Sequence, residues 1–345
     1  MVMTLPIPSG TRDVLPEEMR ERHAVVAALR ELFETHGYGE VSTPTVEYAS
    51  VLDHAGLAAV GDDATRPRFR SVDEKGETLA LRTDMTVPIA RLVGSRFADA
   101  ELPIRLSYVA NCYRGVRPGR GESRELLQAG IELCGAPAPD GTAEALTVLV
   151  GALDAVGLSE ARVAVGDASL FPTLLDAVGI TGTARAAILH ELATRDMVGL
   201  DREVRAAADD VTATMLLEIA SRRGAPSLLD EIADDRANAA LSGLRELIAK
   251  LDQDVASRLI LDLGLTRKLG YYTGAVFEVY APGQGHAIGG GGRYDDLLGT
   301  FGRPLPAVGF ALDVDALHTA MVGTSRGIWR VGWSASEDRD AKAGS

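Results

Sequence analysis

Apolar positions Val25, Val26, Leu29, Leu32 and Phe33 recur at helical spacing within residues 17–36, a segment opened by Pro16 and closed by Gly37. Residues 40–48 then read as a strand. Pro44 within it would cost a central ladder its hydrogen bond, so this strand is expected at a sheet edge or against a second subunit. Short β-type runs at 78–82 and 104–113 flank a helical stretch at 87–93, and 128–133 forms a further strand after a polar loop. Beyond Gly141 the pattern gives a helix at 144–156, a strand at 162–165 and a helix at 169–178 closed by Gly179. Residues 181–253 are rich in Ala, Leu, Glu, Asp and Arg and lack hairpin turn chemistry, which predicts a mostly helical insertion. Strand signals return from Ser257, through 271–280 and 289–295, and a strand at 308–312 leads into a helix at 314–322.

Strands and helices in this uneven order, with several strands close enough for hairpins, predict an α+β fold around a mainly antiparallel sheet. No G-x-G-x-x-G follows an early strand, which argues against a dinucleotide-binding parallel sheet. The expected division is a core in two parts, 1–180 and 256–322, interrupted by the helical insertion at 181–255. A tail at 323–345, rich in Ser, Gly and charge, is expected to be loosely held. No internal repeat or low-complexity tract interrupts this plan.

Composition narrows the function. The chain has 345 residues, 46% hydrophobic and 24% charged, with a net charge of −14. A surface that negative repels polyanions, so nucleic acid is a disfavoured partner. Cys112 and Cys134 form no C-x-x-C pair and sit in no Cys/His cluster, so neither a disulfide framework nor a metal site is expected, and both read as buried reduced thiols. MVMTLPIPSG is not a secretory leader, and the longest apolar run, 145–158, is broken by Asp154. The expected compartment is the cytoplasm, without membrane association.

Two stretches are candidates for chemistry. Arg114, Arg117, Arg120 and Arg124 fall within eleven residues on a Gly-containing loop between two strands. Guanidinium groups supply planar donor pairs to carboxylate or phosphate, yet the same loop could be a solvated hairpin of Arg/Glu pairs. Gly289-Gly290-Gly291-Gly292-Arg293-Tyr294-Asp295, preceded by Tyr271-Tyr272-Thr273-Gly274 and Phe277-Glu278, permits close backbone approach to a ligand or, equally, close packing of elements. His286 is as much a surface loop residue as a functional one. Asp84, ahead of a helix, and Glu132, on a strand, are candidate partners for a ligand ammonium.

The order of these pieces resembles histidyl-tRNA synthetase from Pro8 to about Val322. Pro8-Ser9-Gly10-Thr11-Arg12-Asp13 with Leu15-Pro16, Gly37-Tyr38 and Thr43-Pro44 is similar to the family's opening and first class II motif. Tyr113-Arg114 with Arg117-Pro118, Gln128 and Glu132 is similar to the second motif. Arg267 with Leu269 and Tyr271-Tyr272-Thr273-Gly274 resembles one histidine-recognition segment, and Gly290-Gly291-Gly292-Arg293-Tyr294-Asp295 the other. The resemblance implies a class II synthetase-type core. The sequence also departs from a working synthetase. Val116 stands where the family has a glutamate that recognises adenine, and Ala316, with Asp313 and Asp315 nearby, stands where it has an arginine that meets ATP phosphate. Two carboxylates and no guanidinium are expected to repel a triphosphate. Only 23 residues follow Val322, against roughly a hundred in the family's anticodon-binding domain.

Leu81-Arg82-Thr83-Asp84-Met85-Thr86, with Pro88 and Ala90-Arg91, is similar to the corresponding segment of ATP phosphoribosyltransferase regulatory subunits, where the synthetase has Arg-Pro-Glu-Gly-Thr. That resemblance implies a non-catalytic subunit of the first enzyme of histidine biosynthesis, needed for its activity and for feedback inhibition. Its implied partners are a short-form catalytic chain, histidine as effector and a second copy of itself within a hetero-oligomer, with no tRNA, cofactor or metal. The carried-over site has Asp84, Thr86, Gln128 and Tyr272 around the ammonium and ring, Arg114 and Arg267 as cationic contacts, and Glu132, Tyr271 and Tyr294 as the remaining polar wall. The alternative is a truncated histidyl-tRNA synthetase or another adenylate-forming enzyme.

Overall fold

A computed structural model describes residues 6–54, 68–115, 123–266 and 270–324. The chain opens with helix α1 (Pro16–Thr35), strands β1 (Gly39–Glu40) and β2 (Val46–Tyr48), helix α2 (Ala49–His54), strands β3 (Arg70–Val72) and β4 (Thr78–Leu81) and helix α3 (Thr86–Arg96). A long hairpin of β5 (Ile104–Tyr113) and β6 (Glu125–Cys134) follows, then α4 (Asp140–Ala155), β7 (Arg162–Asp167) and α5 (Leu170–Ala177). The next segment holds α6 (Gly182–Thr194), α7 (Met197–Ala207), α8 (Asp210–Ser221), β8 (Arg223–Gly224), α9 (Asp235–Ala240), α10 (Ser242–Lys250) and α11 (Gln253–Ser257). The fold closes with β9 (Leu259–Asp262), β10 (Ala275–Tyr280), β11 (Gly289–Arg293), β12 (Ala307–Asp313) and α12 (Val314–Thr324).

Nine strands form one sheet in the order β1-β5-β6-β12-β11-β10-β7-β9-β8, and β2-β4-β3 form a second. Within the large sheet only β1–β5 and β7–β9 are parallel, so the expected mainly antiparallel α+β core is present. The 40–48 segment departs from expectation. It splits around Pro44 into β1, at the edge of the large sheet, and β2, at the edge of the small one. The Pro44 carbonyl instead lies within reach of the buried Arg82 guanidinium, which also donates to the carbonyls of Thr43 and Asn111.

Alternation along the strands divides the large sheet into two unlike faces. One carries Ile131 and Leu133, Phe310 and Leu312, Phe277 and Val279, Val163 and Val165, packed in one cluster with α1, α4, α5 and α12. Phe33 of α1 meets Phe310 edge-on, with ring centroids 6.0 Å apart. The 181–255 segment is mostly helical as expected, but its Ile188, Leu200, Leu216 and Leu244 belong to this same cluster. β8 additionally ties it to the sheet edge through β9. The opposite face is covered by α3 and by Tyr271, Tyr294, Leu297 and Leu298 in a second cluster. No helix among the described residues is long and apolar enough to cross a membrane. Residues 325–345 of the expected tail lie outside the described residues, whereas Gly323 and Thr324 complete α12.

Candidate functional site

The register places side-chain-poor positions together on the second face. Gln128, Gly130 and Glu132 on β6 pair with Asp313, Ala311 and Gly309 on β12. Gly309 and Ala311 pair in turn with Gly292 and Gly290 on β11, and Gly290 pairs with Glu278 on β10. The result is a floor of four glycines and an alanine rimmed by polar groups. A cavity of about 170 Å³ opens above it, smaller than the roughly 300–1,000 Å³ of pockets for drug-sized ligands. The glycines are required by what lies over them. A β-carbon on Gly309 would collide with the Glu132 carboxylate, and one on Gly292 would lie 2.7 Å from the Tyr272 ring.

Of the candidates named from the sequence, Asp84, Thr86, Arg114, Gln128, Tyr271, Tyr272 and Tyr294 line this cavity. Asp84 Oδ1 accepts from the Val87 amide at 3.2 Å, at the start of α3, where the helix dipole favours a carboxylate. Arg114 donates from Nε to the Thr83 carbonyl at 3.1 Å, which holds it beside Asp84. The tyrosines form one aromatic wall, Tyr271 lying 4.6 Å from Tyr272 and 5.7 Å from Tyr294 between centroids. Residues 271–274 were expected to be strand. They turn instead, with Thr273 bonded to the Arg293 carbonyl and to the Asp295 amide, and β10 starts only at Ala275.

Glu132 lies just beneath the lining, 1% exposed. Thr86 donates to one carboxyl oxygen at 2.9 Å and the Tyr294 hydroxyl to the other. Burial outweighs these bonds and, with a smaller push from Asp84, raises the group to about 8. The same desolvation raises Tyr108, Tyr271 and Tyr294 well above the ordinary phenol value. Both cysteines are free and buried, as expected.

Arg267, the remaining candidate, lies outside the described residues, as do Val116, Arg117 and Arg120. Of the two carboxylates expected to face a triphosphate, only Asp313 lines the cavity. Asp315 is instead paired with Arg22 at 2.7 Å and with Arg12 at 3.4 Å. Ala316 packs in the main core on the far face, so that position offers a methyl group and no cation. His286 is exposed and outside the lining, while its neighbours Ala287 and Ile288 are part of it. Arg293 is a buried clamp, donating to the Ala136 carbonyl, Thr142 and Asp295.

Sequence reasoning missed Tyr108 and, though it placed Glu278 in a candidate stretch, gave it no role in the site. Both lie on the site face by strand parity, Tyr108 opposite Gly130 and Glu278 opposite Gly290, a signal readable only from those pairings. Glu278 also accepts from Arg195 at 3.1 Å and from the Tyr280 hydroxyl at 2.6 Å. Arg195 caps α6 in the left-handed conformation with φ 57°, the one non-glycine with positive φ among the described residues.

The sequence model of the histidyl-tRNA synthetase family matches residues 10–317. An ATP phosphoribosyltransferase regulatory subunit of Symbiobacterium thermophilum is 40% identical over 321 residues, covering 91% of this chain and 79% of its own. A histidine–tRNA ligase of Methanocaldococcus jannaschii is 33% identical, covering 92% of this chain and 76% of its own. A crystal structure described as an ATP phosphoribosyltransferase regulatory subunit/histidyl-tRNA synthetase from Bacillus halodurans superposes with a TM-score of 0.83 at 32% identity, covering 93% of this chain and 84% of that one.

Glu132 generates a testable stability profile. Its folded value lies above the ordinary carboxylate value, so between about 4.5 and about 8 the folded chain holds a proton that the unfolded chain has released. Stability of the ligand-free protein is therefore expected to fall as pH rises through that window, by a few kcal/mol in total. Urea titrations at pH 5, 6.5 and 8 check this. Glu132→Gln, which keeps an acceptor and loses the charge, should flatten the profile, and an equally steep profile in that variant would locate the titration elsewhere.

Proposed function

This chain belongs to the ATP phosphoribosyltransferase regulatory subunits, a branch of the histidyl-tRNA synthetase family, and from that premise we propose that it senses histidine above the glycine floor. Occupancy of that cavity then governs a separate short-form phosphoribosyltransferase catalytic subunit. The observation that carries this reading is the meeting of Asp84 and Arg114 in the lining of one small cavity, with Glu132 just beneath it and bonded to the lining Thr86. Asp84 and Thr86 receive the ammonium and Arg114 the carboxylate, with Gln128 between them and Arg267 as a second cationic contact. The ring lies among Tyr271, Tyr272 and Tyr294 over Glu132. A neutral Glu132 donates to an unprotonated imidazole nitrogen, and an ionised one accepts from an N–H. The reading requires no cofactor and no metal.

Inhibition follows by linkage: histidine shifts the catalytic chain only if it binds the inhibited complex better than the active one, typically by about 1–3 kcal/mol. The direct test measures histidine inhibition of the catalytic chain with and without this protein. Arg114→Ala should weaken histidine binding by about ten- to a hundredfold in calorimetry, because it removes a charge-assisted contact, and should raise the inhibitory concentration in step. Unchanged binding and inhibition in that variant would move the effector site elsewhere.

The synthetase reading is favoured by the similarity to the archaeal ligase. Against it stand Val116 and Ala316, which offer no carboxylate for adenine and no guanidinium for phosphate. Purified protein is expected to give no histidine-dependent ATP–pyrophosphate exchange, and robust exchange would restore the catalytic alternative.

Self-association belongs to the same proposal. Leu15, Met19, Val46, Tyr48 and Val72 are exposed apolar side chains on and just before α1 and on the small sheet, whose edges β2 and β3 need cover. Light scattering at micromolar concentration should give a dimer, and a stable monomer would count against it.

A further inference from the structure

Cys112 is a buried thiol that the histidine-sensing reading leaves without a task. It sits on β5, on the site face, two residues beyond the partner of Gln128 in the β5–β6 ladder. That diagonal brings its Sγ to 3.2 Å from Gln128 Oε1, with the thiol as donor. The cysteine is 0% exposed, and burial, aided by the negative charge of Asp84, pushes its pKa up to about 12. It therefore carries its proton throughout the physiological range and remains a donor.

The consequence falls on Gln128, whose amide has one accepting and one donating end. With the oxygen engaged by the thiol, the NH2 group is the end left for the cavity that Gln128 lines. No hydrogen bond runs from that nitrogen to another described residue. A site for an amino acid must distinguish an ammonium, which needs acceptors, from a carboxylate, which needs donors. Asp84 already supplies acceptor oxygens at one end. A second acceptor beside it would duplicate that role, whereas a donor complements Arg114.

We propose that Cys112 is a positioning residue that fixes the orientation of the Gln128 amide, so that Gln128 donates to the carboxylate of the bound amino acid rather than accepting from its ammonium. The inference rests on the histidine-sensing reading and refines it at one contact. The thiol thereby selects one of two orientations of similar shape in an amide that is only 7% exposed. Without the thiol, the amide is free to invert, and the carboxylate then meets an oxygen.

The test is calorimetry on the full-length chain with three probes: histidine, histamine, which lacks the carboxylate, and imidazolepropionate, which lacks the ammonium. Cys112→Ala should weaken histidine and imidazolepropionate by about three- to tenfold, the range of one lost neutral hydrogen bond, and leave histamine unchanged or slightly tighter. Cys112→Ser, which keeps a donor at nearly the same place, should restore wild-type values for all three. Equal weakening of histidine and histamine in Cys112→Ala would overturn the proposal, because it would assign Gln128 to the shared ammonium. Failure of Cys112→Ser to rescue would also overturn it, as a packing role predicts. If the wild-type chain and its complex bind none of the probes, the sensing reading itself fails, an outcome separate from any difference among the variants.

Discussion

A carboxyl group buried in the middle of an antiparallel sheet is the constraint around which the site is arranged. Glu132 cannot be left unpaired at that depth, since an unsatisfied buried acceptor costs on the order of 1–3 kcal/mol and a charged one more. Its two oxygens are met from two directions, by Thr86 at the head of α3 and by Tyr294 just after β11. Those bonds fix where α3 begins and where the chain leaves β11. The carboxyl also occupies the space in which a side chain on β12 would stand, so Gly309 must be glycine. One polar residue thus specifies three elements, and the emptied layer beside it becomes the cavity.

The same logic explains the unequal use of the two sheet faces. On the far face Ile, Leu, Val, Phe and Ala fill most inward positions of the central strands, and the burial of that cluster holds the helices, including those of the inserted segment. On the near face large side chains are confined to the margins, and the centre is kept bare. Apolar packing is concentrated on one side and the candidate site lies on the other. A substitution in the floor would therefore alter the cavity before it disturbed the main core, because the strands beneath are anchored from the opposite face.

Much of this was legible in the sequence. The α1 face, the β5 and β6 strands and the ordered motifs needed only periodicity and resemblance, because long elements leave repeated signals. Seven of the nine candidate residues line the cavity and Glu132 lies just under it, since each sits in a motif whose neighbours fix its position. What was illegible depended on pairing. Pro44 correctly placed its segment at a sheet edge, but did not show that the strand breaks there and the chain changes sheets, with the Pro44 carbonyl beside Arg82. Tyr271 and Tyr272 have good strand propensity, yet their rings are needed against Tyr294, so tertiary packing overrides it. Tyr108 and Glu278 reach the cavity only through cross-strand register, which a linear pattern does not contain.

The charge balance of the cavity argues for a small zwitterion over a nucleotide. Four carboxyl groups surround it, but they are not equivalent. Glu132 holds its proton up to about 8, and Glu278 is offset by Arg195. Asp84 and Asp313 remain, facing Arg114. Desolvation, with a smaller push from Asp315, holds the Asp313 carboxyl above its ordinary value, and the two amides it caps at the start of α12 and the nearby Arg114 offset this only in part. A triphosphate brought here would meet the Asp84 and Asp313 carboxyl groups with Arg114 as the one guanidinium in the lining among the described residues. An amino acid with a positive head and a single carboxylate leaves the total nearly unchanged on binding. The contact between Glu278 and Arg195 adds a route outward, because it joins the cavity wall to the end of α6 at a residue held in an unfavoured backbone conformation. A ligand that drew Glu278 toward itself would have to compete with that pair.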